Sequence, residues 1–431
     1  MGIRLLFILL CLVHIPILGQ ESEVRINQNR LESRIMELAQ FGVQENGETE
    51  RVAFSDADIE ARNWVVQTLE NLGLAVSIDY AGNIIGLRKG RNKEAKAISF
   101  GSHIDRVPNG GNYDGCVGSM AALEIIETLN ENNIKTKHPL EVIIFSNEEG
   151  GVMGSRAMSG HLSNKAFRVA NSTGYTMGEG IMRLGGDTSQ IKKVVRKKNS
   201  MAAFLELHIE QGAILEKENL DIGIVEGIVG LKWWDVIFIG FANHAGTTPM
   251  NARQDALLAA AKFIVAVNEV TNSFEGAQVG TVGRIKAEPG APNVIPGKVV
   301  TSLEIRDLSS QVIEHVFNAI QAKAMEISSA SGVQIEFVPL DTTADPALTD
   351  PVVQKEIETV SKNLGLSFKY MPSGAGHDAQ DMAHIAPIGM IFVPSKGGIS
   401  HSPKEFTSAE DMANGTNVLL QTILSLDQKL D

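Results

Sequence analysis

Short apolar runs separated by amphipathic stretches dominate the hydrophobic pattern of this 431-residue chain. Runs of four or five apolar residues are too short for helices and are typical of strands buried on both faces. They lie at 97–100, 142–146, 203–207 and 390–393. Between the first two runs, apolar residues recur at helical spacing from 121 to 129. This alternation predicts an α/β fold, with a mostly parallel sheet that has helices on both faces.

Capping residues predict where two further helices begin and end. Ser55 precedes an apolar-periodic stretch that stops at Gly73, which is the pattern of a capped amphipathic helix. Asp350 and Pro351 open another helical stretch that ends at Gly365.

Residues 221–331 show a different order of elements, which predicts a smaller inserted α+β domain. A strand-like run is followed by a long helical stretch, two strands and a second helix. We therefore divide the chain into a first catalytic part, an inserted domain and a second catalytic part. The boundaries expected from the sequence are 21–213, 214–330 and 331–431.

The first twenty residues resemble a secretory signal peptide. Arg4 precedes an apolar run at 5–13, and the small residue Gly19 stands near the end. A transmembrane anchor is the alternative, but the apolar core is short and Pro16 interrupts its end. We expect 1–20 to be removed on export to a periplasm or the extracellular space, with no stable membrane span afterwards.

Charge and cysteine content narrow the possible partners. The chain has 51 acidic and 38 basic residues, for a net charge of -13. A nucleic-acid partner is therefore not expected, because phosphate-binding surfaces need a basic excess. Of the two cysteines, Cys11 lies in the expected leader, so the mature chain keeps only Cys116 and forms no internal disulfide.

Each of the four apolar runs is followed by residues of types that can bind metal ions. They are His103, Asp105 and Asp114 after the first run, Glu148 and Glu149 after the second, His208 and Glu210 after the third, and His401 after the fourth. A single histidine at a strand end is more often a hydrogen-bonded surface or core residue. The carboxyl ends of strands in an open α/β sheet meet in one crevice, however, so these residues should converge. The set exceeds what one tetrahedral zinc needs and favours two divalent cations that share a carboxylate.

The adjacent acids Glu148 and Glu149 suggest a division of labour at a cation. A Glu-Glu pair usually lies on a solvated face, but this pair follows an apolar run and precedes Gly150 and Gly151. One carboxylate can bind metal while the other accepts a proton from water.

Eight segments together resemble the amidase/hydantoinase/carbamoylase family of dinuclear metallohydrolases, which includes N-carbamoyl-L-amino acid hydrolases and allantoate amidohydrolases and is related to aminoacylases and metallo-carboxypeptidases. They are GSHIDRVPNGGNYDG, SNEEGG, LELHIEQG, NHAGTTPM, PNVIPG, LEIRD, SGAGHDA and GGISHSP. The resemblance extends from about residue 34 to 426, and the segments occur in the family's order.

This resemblance implies a ligand set for two metal ions per subunit. His103 and His208 would bind one ion, Glu149 and His401 the other, and Asp114 would bridge them. Zinc or manganese is expected first, and cobalt or nickel would also suit these ligands.

The resemblance also assigns roles around the ions. Glu148 would be the general base, and the Asp105 carboxylate would orient His103. The histidine at His208 favours the carbamoylase branch, because peptidase-like relatives typically have an acidic residue there.

Substrate contacts are implied at Gln211, His244, Asn293 and Arg306, which match positions that contact a substrate carboxylate or ureido group. His244 is in addition a candidate for stabilising the oxyanion. Arg306 has a planar fork that suits a carboxylate, although an exposed strand arginine is the alternative. The remaining expected contacts are His377, Gly397 and Gly398. Because such groups cross a subunit interface in the family, we expect the inserted domain to act as a lid and to form a homodimer.

The resulting hypothesis is metal-dependent hydrolysis of a linear ureido group, releasing ammonia and carbon dioxide from a carboxylate-bearing substrate. N-carbamoyl-L-amino acids and allantoate rank above ureidoglycolate and 3-ureidopropionate. An aminoacylase or a dipeptidase or carboxypeptidase-like enzyme is the alternative within enzymes, and a non-catalytic binding protein is the alternative outside them. Arg106 could select a more acidic substrate, or it could form an outward-facing salt bridge.

Overall fold

A computed structural model of the chain describes residues 24–44, 49–340 and 343–430. The expected leader at 1–20 lies outside these ranges. Within them, no helix is both long enough and apolar enough to cross a membrane.

The helices and strands follow one another in the alternation that the apolar pattern predicts. The helices are α1 Gln28–Gln40, α2 Asp56–Asn71, α3 Cys116–Glu131, α4 Met153–Ser159, α5 Met177–Arg183, α6 Ile214–Glu218, α7 Ala256–Ser273, α8 Ser310–Ser331, α9 Pro351–Asn363, α10 Asp378–Met382 and α11 Ala409–Lys429. The strands are β1 Ala75–Ile78, β2 Ile84–Arg88, β3 Ile98–His103, β4 Leu140–Phe145, β5 Ala203–Ile209, β6 Ile222–Ile228, β7 Gly230–Ile239, β8 Asn243–His244, β9 Val279–Thr281, β10 Ile285–Glu288, β11 Val294–Ile295, β12 Lys298–Asp307, β13 Gln334–Pro339, β14 Ala347–Leu348, β15 Phe368–Ser373 and β16 Ile388–Val393.

The larger sheet is parallel at its centre and antiparallel towards its edges. Its strand order is β1-β2-β4-β3-β5-β16-β6-β14, and β15 pairs with β6. The strands β4, β3, β5 and β16 run parallel, whereas β2 joins β4 and β6 joins β16 in antiparallel pairs. The expected mostly parallel sheet is thus confirmed at the strands that lead to the candidate ligands.

Helices cover both faces of this sheet, as expected. Along β4, Val142 and Ile144 join the core cluster that contains the buried faces of α3 and α11. Their neighbours Ile143 and Phe145 join a second cluster, which contains residues of α4 and α10. Because successive strand residues point to opposite faces, a strand that is apolar at every position must be buried on both.

Ser55 and Asp350 cap α2 and α9 as the sequence predicts. The Ser55 side chain accepts a hydrogen bond from the Asp58 backbone N–H, and the Asp350 side chain accepts from the backbone N–H groups of Val352 and Val353. Each cap satisfies N–H groups that the first turn of a helix leaves without a partner inside the helix.

A smaller α+β unit has its own sheet and core. Its strand order is β10-β12-β7-β13, with β9 beside β12. Phe238 of β7 and Leu303 of β12 pack in one cluster with Phe263 of α7 and Val316 of α8.

The pairing of strands moves both boundaries of the smaller unit. The strand β6 and the helix α6 were expected inside the insertion, but β6 pairs with β15 and β16 of the larger sheet. The strand β13 was expected outside it, but pairs with β7. The insertion therefore extends from 230 to 339 rather than from 214 to 330.

Candidate metal centre

The candidate ligands converge at the carboxyl edge of the parallel strands. His103 is the last residue of β3, and His208 lies near the end of β5. Glu149 follows β4, and His401 follows β16. Four segments that are distant in sequence thus place their side chains at one edge of the sheet, as the strand-end argument predicts.

Asp114 lies between the histidines and directs its two carboxylate oxygens to different sides. Its Oδ1 is 3.6 Å from His103 Nε2 and 3.1 Å from His208 Nε2. Its Oδ2 is 3.3 Å from His401 Nε2. A carboxylate in this position can bind one cation through each oxygen.

The ligand atoms form two groups that share Asp114. One group is His103, Asp114 and His208, and the other is Asp114, Glu149 and His401. Within each group the ligand atoms lie within 4.8 Å of one another, and Glu149 Oε2 is 3.5 Å from His401 Nε2. Neutral imidazoles and carboxylates suit zinc, manganese, cobalt and nickel, so the donor set fits divalent metal ions.

Burial, hydrogen bonds and charges within this cluster shift the pKa values of its members. Burial alone would raise the pKa of the Asp114 carboxyl, but hydrogen bonds from His103 and the charge of His208 hold that pKa well below its usual value. The hydrogen bond with Asp114 raises the pKa of His401 to about 9. Burial raises the pKa of Glu149 to about 7. A cation must therefore displace protons when it binds.

Glu148 is buried at the same edge, with Oε2 3.7 Å from His103 Nε2. Burial raises the pKa of its carboxyl well above the usual value, and the charges of Asp378 and Glu149 raise it further. Burial and like charges near a carboxyl group are the conditions that prepare it for proton transfer near neutral pH.

The turn that carries the two glutamates needs its glycines. Asn147 has a φ of 50° and Gly151 a φ of 104°. A Cβ on Gly150 would lie 2.2 Å from the side chain of Asn147. The Gly-Gly pair therefore permits the backbone that turns both carboxylates towards the site.

Asp105 supports the site through different atoms from those expected. His103 Nδ1 is 3.1 Å from the backbone carbonyl oxygen of Asp105, whereas the nearer carboxylate oxygen is 3.7 Å away. The Asp105 carboxylate instead accepts hydrogen bonds from the backbone N–H groups of Glu148 and Glu149, both at 3.2 Å. The carbonyl orients His103, and the carboxylate fixes the glutamate turn.

Gln211 and His377 both lie at the centre. Gln211 Nε2 donates to Asp114 Oδ2 at 2.6 Å, while its Oε1 is buried without a hydrogen-bond partner. The His377 ring packs against His208 with centroids 4.5 Å apart, and its Nε2 is 2.8 Å from Ser373 Oγ. Both side chains line one cavity, which opens beside the candidate ligands.

Arg306 reaches that cavity from the smaller unit. The cavity, of about 350 Å³, is lined by Glu148, His208 and His401 as well as by Arg306. The Arg306 guanidinium pairs with Glu304 at 2.8 Å, and its Nη1 donates to the carbonyl of Gly374 at 2.7 Å. Arg306 is thus held at the cavity by its own strand and by the larger unit.

Four expected substrate contacts do not line this cavity. His244 is exposed on β8, and Asn293 is exposed just before β11, where its carbonyl accepts from the Ala245 backbone N–H. Gly397 donates its backbone N–H to Glu216, and a Cβ on Gly398 would lie 2.8 Å from Ala213. The two glycines therefore pack against the segment around α6, outside the cavity lining.

Two further sequence expectations are corrected. Arg106 is buried and absent from the cavity lining, and its pKa falls to about 10 because of burial and the neighbouring Arg51. It is neither a cavity residue nor an outward-facing salt bridge. Glu210 accepts from the backbone N–H groups of Ile214 and Leu215, so it caps α6.

Two residues at the site were missed from the sequence. Glu405 accepts from the backbone N–H groups of Tyr113 and Asp114, at 2.9 and 3.1 Å, and so positions the shared carboxylate. Arg156 of α4 lines the cavity beside the glutamate turn. The only signal for Glu405 is an acidic residue four positions after His401, and α4 carried no ligand pattern.

Comparisons with known proteins find relatives over almost the whole chain. The model of peptidase family M20/M25/M40 matches residues 99–425. N-carbamoyl-L-amino acid amidohydrolase of Geobacillus stearothermophilus is 40% identical over 408 residues, covering 94% of this chain and 99% of the relative. Ureidoglycolate hydrolase of Oryza sativa subsp. japonica is 38% identical over 420 residues, covering 93% and 85%. The crystal structure of a hydantoinase/carbamoylase family amidase from Burkholderia multivorans superposes with a TM-score of 0.86 at 33% identity, covering 94% and 98%.

Proposed function

Because this chain belongs to the M20/M25/M40 peptidase family, we propose that it is a metal-dependent amidohydrolase that cleaves the linear ureido group of a carboxylate-bearing small molecule. The observation that carries this proposal is the cavity itself. It is lined by Asp114, Glu148 and Arg306. These would serve as the shared carboxylate, the general base and the group that binds the substrate carboxylate. N-carbamoyl-L-amino acids, allantoate and ureidoglycolate all carry both groups that this cavity would recognise.

We propose that two divalent ions occupy the centre. His103 and His208 would hold one, Glu149 and His401 the other, and Asp114 would contact both. Zinc or manganese fits this set best, and cobalt or nickel fits it as well. When bound, such ions polarise a carbonyl group and lower the pKa of water.

Glu148 would move the proton in this reaction. It accepts a proton from the water that attacks the ureido carbonyl, and then delivers that proton to the departing nitrogen. The C–N bond breaks, and the carbamate that results decomposes. The overall products from R-NH-CO-NH2 and one water are R-NH2, carbon dioxide and ammonia.

Arg306 would bind the substrate carboxylate. Glu304 and Gly374 fix its guanidinium, so little side-chain freedom is lost when an anion binds. A planar guanidinium can offer two parallel hydrogen bonds to a carboxylate. This contact orients the ureido group towards Glu148.

We further propose that the site is completed in a homodimer formed through the smaller unit. His244 and Asn293 lie in that unit but outside the cavity of their own chain. A partner's smaller unit could bring these two residues to the cavity, where His244 would stabilise the oxyanion.

Mixing two inactive variants tests this arrangement. Glu148→Gln keeps His244, and His244→Ala keeps Glu148, so a mixed dimer has one complete site only if His244 acts across the interface. We expect activity to return after the variants are dissociated and reassembled together. No recovery in verified mixed dimers would refute the shared site.

The reaction is tested by ammonia release from a substrate panel. The panel contains N-carbamoyl-L-amino acids, allantoate, ureidoglycolate and 3-ureidopropionate, with N-acetyl amino acids and dipeptides as controls. Protein loaded separately with zinc and manganese should release ammonia from at least one ureido compound. Cleavage confined to the acyl or peptidyl compounds would instead establish an aminoacylase or peptidase.

We also propose export, on the basis of residues 1–20. N-terminal sequencing of protein purified from its native cells should begin close to residue 21. A chain that still begins at residue 1 would refute cleavage.

A further inference from the structure

A separate group of metal-binding side chains lies outside the catalytic cavity. It consists of His161, Asp381 and His384, whose ligand atoms lie within 4.8 Å of one another. Both histidines are exposed, and the Asp381 side chain is only 10% exposed. None of the three lines the cavity described above.

Two packed helices hold this group together. His161 follows Gly160, the left-handed residue that ends α4, and His384 follows the last turn of α10. The two helices pack through buried residues of one core cluster, among them Met158 and Met382. The backbones that carry the three side chains are therefore fixed relative to one another.

The side chains of the group already face one another. The rings of His161 and His384 pack edge to face, with centroids 4.3 Å apart. His161 Nδ1 lies 3.7 Å from Asp381 Oδ1, and the Ser159 hydroxyl lies 3.1 and 3.0 Å from these two atoms.

A small adjustment would suffice for coordination. With ion–ligand distances of about 2.1 Å, tetrahedral ligands lie about 3.4 Å apart. Each pair of ligand atoms therefore needs to close by at most about 1.4 Å, which exposed imidazole rings achieve by rotation about their side-chain bonds.

We infer that His161, Asp381 and His384 form an additional binding site for a transition-metal dication, with water completing the coordination. Two imidazoles and one carboxylate select zinc, nickel, cobalt or copper over magnesium and calcium, which prefer oxygen ligands.

The position of Asp381 connects this site to the catalytic cavity. Asp381 Oδ2 lies 3.5 Å from Arg156 Nε, and Arg156 lines the cavity. An ion bound to Asp381 offsets the negative charge of this carboxylate. The attraction between Asp381 and Arg156 then weakens, and the Arg156 side chain is held less firmly. This step rests on the proposed function. Because Arg156 lines the cavity that would hold the ureido substrate, a less firmly held Arg156 weakens substrate binding. Occupation of the surface site therefore raises the KM and is inhibitory.

Equilibrium dialysis of the metal-loaded protein against zinc, and separately against nickel, tests the site without an activity assay. Wild-type protein should bind one ion per chain more than His384→Ala or His161→Ala. His315→Ala removes an exposed histidine of α8 and should match the wild type. Equal ion counts in the wild type and both site variants would overturn the proposal.

A kinetic measurement tests the link to Arg156. Added zinc should raise the wild-type KM several-fold and leave that of His384→Ala unchanged. An unchanged wild-type KM with the extra ion bound would refute the inhibitory link. Failure of the protein to cleave any ureido compound would refute the proposed function and leave the dialysis result intact.

Discussion

The two sides of the catalytic cavity differ in how completely a single chain builds them. On the side of the larger sheet, the ligand side chains of β3 and β5 are buried and already face Asp114. On the side of the smaller unit, Arg306 reaches the cavity, whereas His244 and Asn293 remain exposed outside it. The metal-binding side is thus preorganised within one chain, whereas two of the expected substrate contacts lie outside the cavity of that chain.

This difference follows from how each side is held. Core packing on both faces of the larger sheet fixes the strand ends, so the polar side chains placed there have little freedom. In the smaller unit, the two-residue strands β8 and β11 pair with each other, and His244 and the neighbouring Asn293 are exposed there. Short strands with few ladder hydrogen bonds hold exposed side chains less firmly than packed strand ends do.

The largest effect is expected from a variant that disables only the preorganised side of the cavity. Glu148→Gln should lower kcat about 10³-fold, because the amide cannot accept the proton from water. Metal content, measured by elemental analysis, should stay at the wild-type level. Undiminished turnover in this variant would exclude Glu148 as the base.

The raised pKa of His401 on the preorganised side predicts a pH dependence of metal binding. Below pH 9 His401 keeps a proton that a cation must displace, so metal affinity should rise with pH. The slope should be about tenfold per pH unit for each displaced proton, levelling above pH 9. Titration of the metal-free protein in chelator-buffered zinc measures it. A constant affinity from pH 7 to 9 would contradict this account.

On the side of the smaller unit, Arg306→Ala should lower kcat/KM about thirtyfold, mostly through KM, because a charge-assisted pair of hydrogen bonds is lost. Arg284→Ala is a matched control, since Arg284 lies exposed in the same unit and pairs with Asp235. Steady-state kinetics with the best ureido substrate distinguishes them. Equal constants for the two variants would remove Arg306 from the substrate site.

The smallest effect is expected from Glu405, whose hydrogen bonds position the Asp114 backbone on the preorganised side. Glu405→Ala should weaken metal binding about tenfold, because the Asp114 backbone loses its hydrogen-bond acceptor. Glu405→Gln should restore most of the affinity, since its amide oxygen can accept from the same N–H groups. If both variants bound metal equally weakly, the charge of Glu405 would matter rather than the positioning.

The sequence is sufficient to predict the parts of the site that strand ends control. His103, Glu149, His208 and His401 each follow or end a short apolar run, and the topology of an α/β sheet brings such positions together. Glu405 could not be found in this way. It reaches back across 291 residues to a backbone N–H group, and no spacing rule encodes such a contact.

The errors have equally local causes. Only one residue separates β6 from β7, so a continuous apolar run passes between two sheets and hides the boundary of the insertion. For Asp105, the sequence identifies an acceptor near His103 but does not indicate whether the carbonyl or the carboxylate serves. That choice depends on the side-chain rotamer, which the packed turn of Glu148 and Glu149 determines.

The reactivity of Cys116 would report on local opening of the backbone next to the metal centre. Cys116 is the only cysteine among the described residues, lies two positions after Asp114, and is fully buried with Arg51 Nη2 3.1 Å from its sulfur. A thiol reagent reaches it only when the packing around the start of α3 opens. The rate of labelling therefore gives the equilibrium constant of that local opening, provided that reclosing outruns reaction. The ratio of the labelling rates without and with metal would then measure how much metal binding protects this segment against local opening.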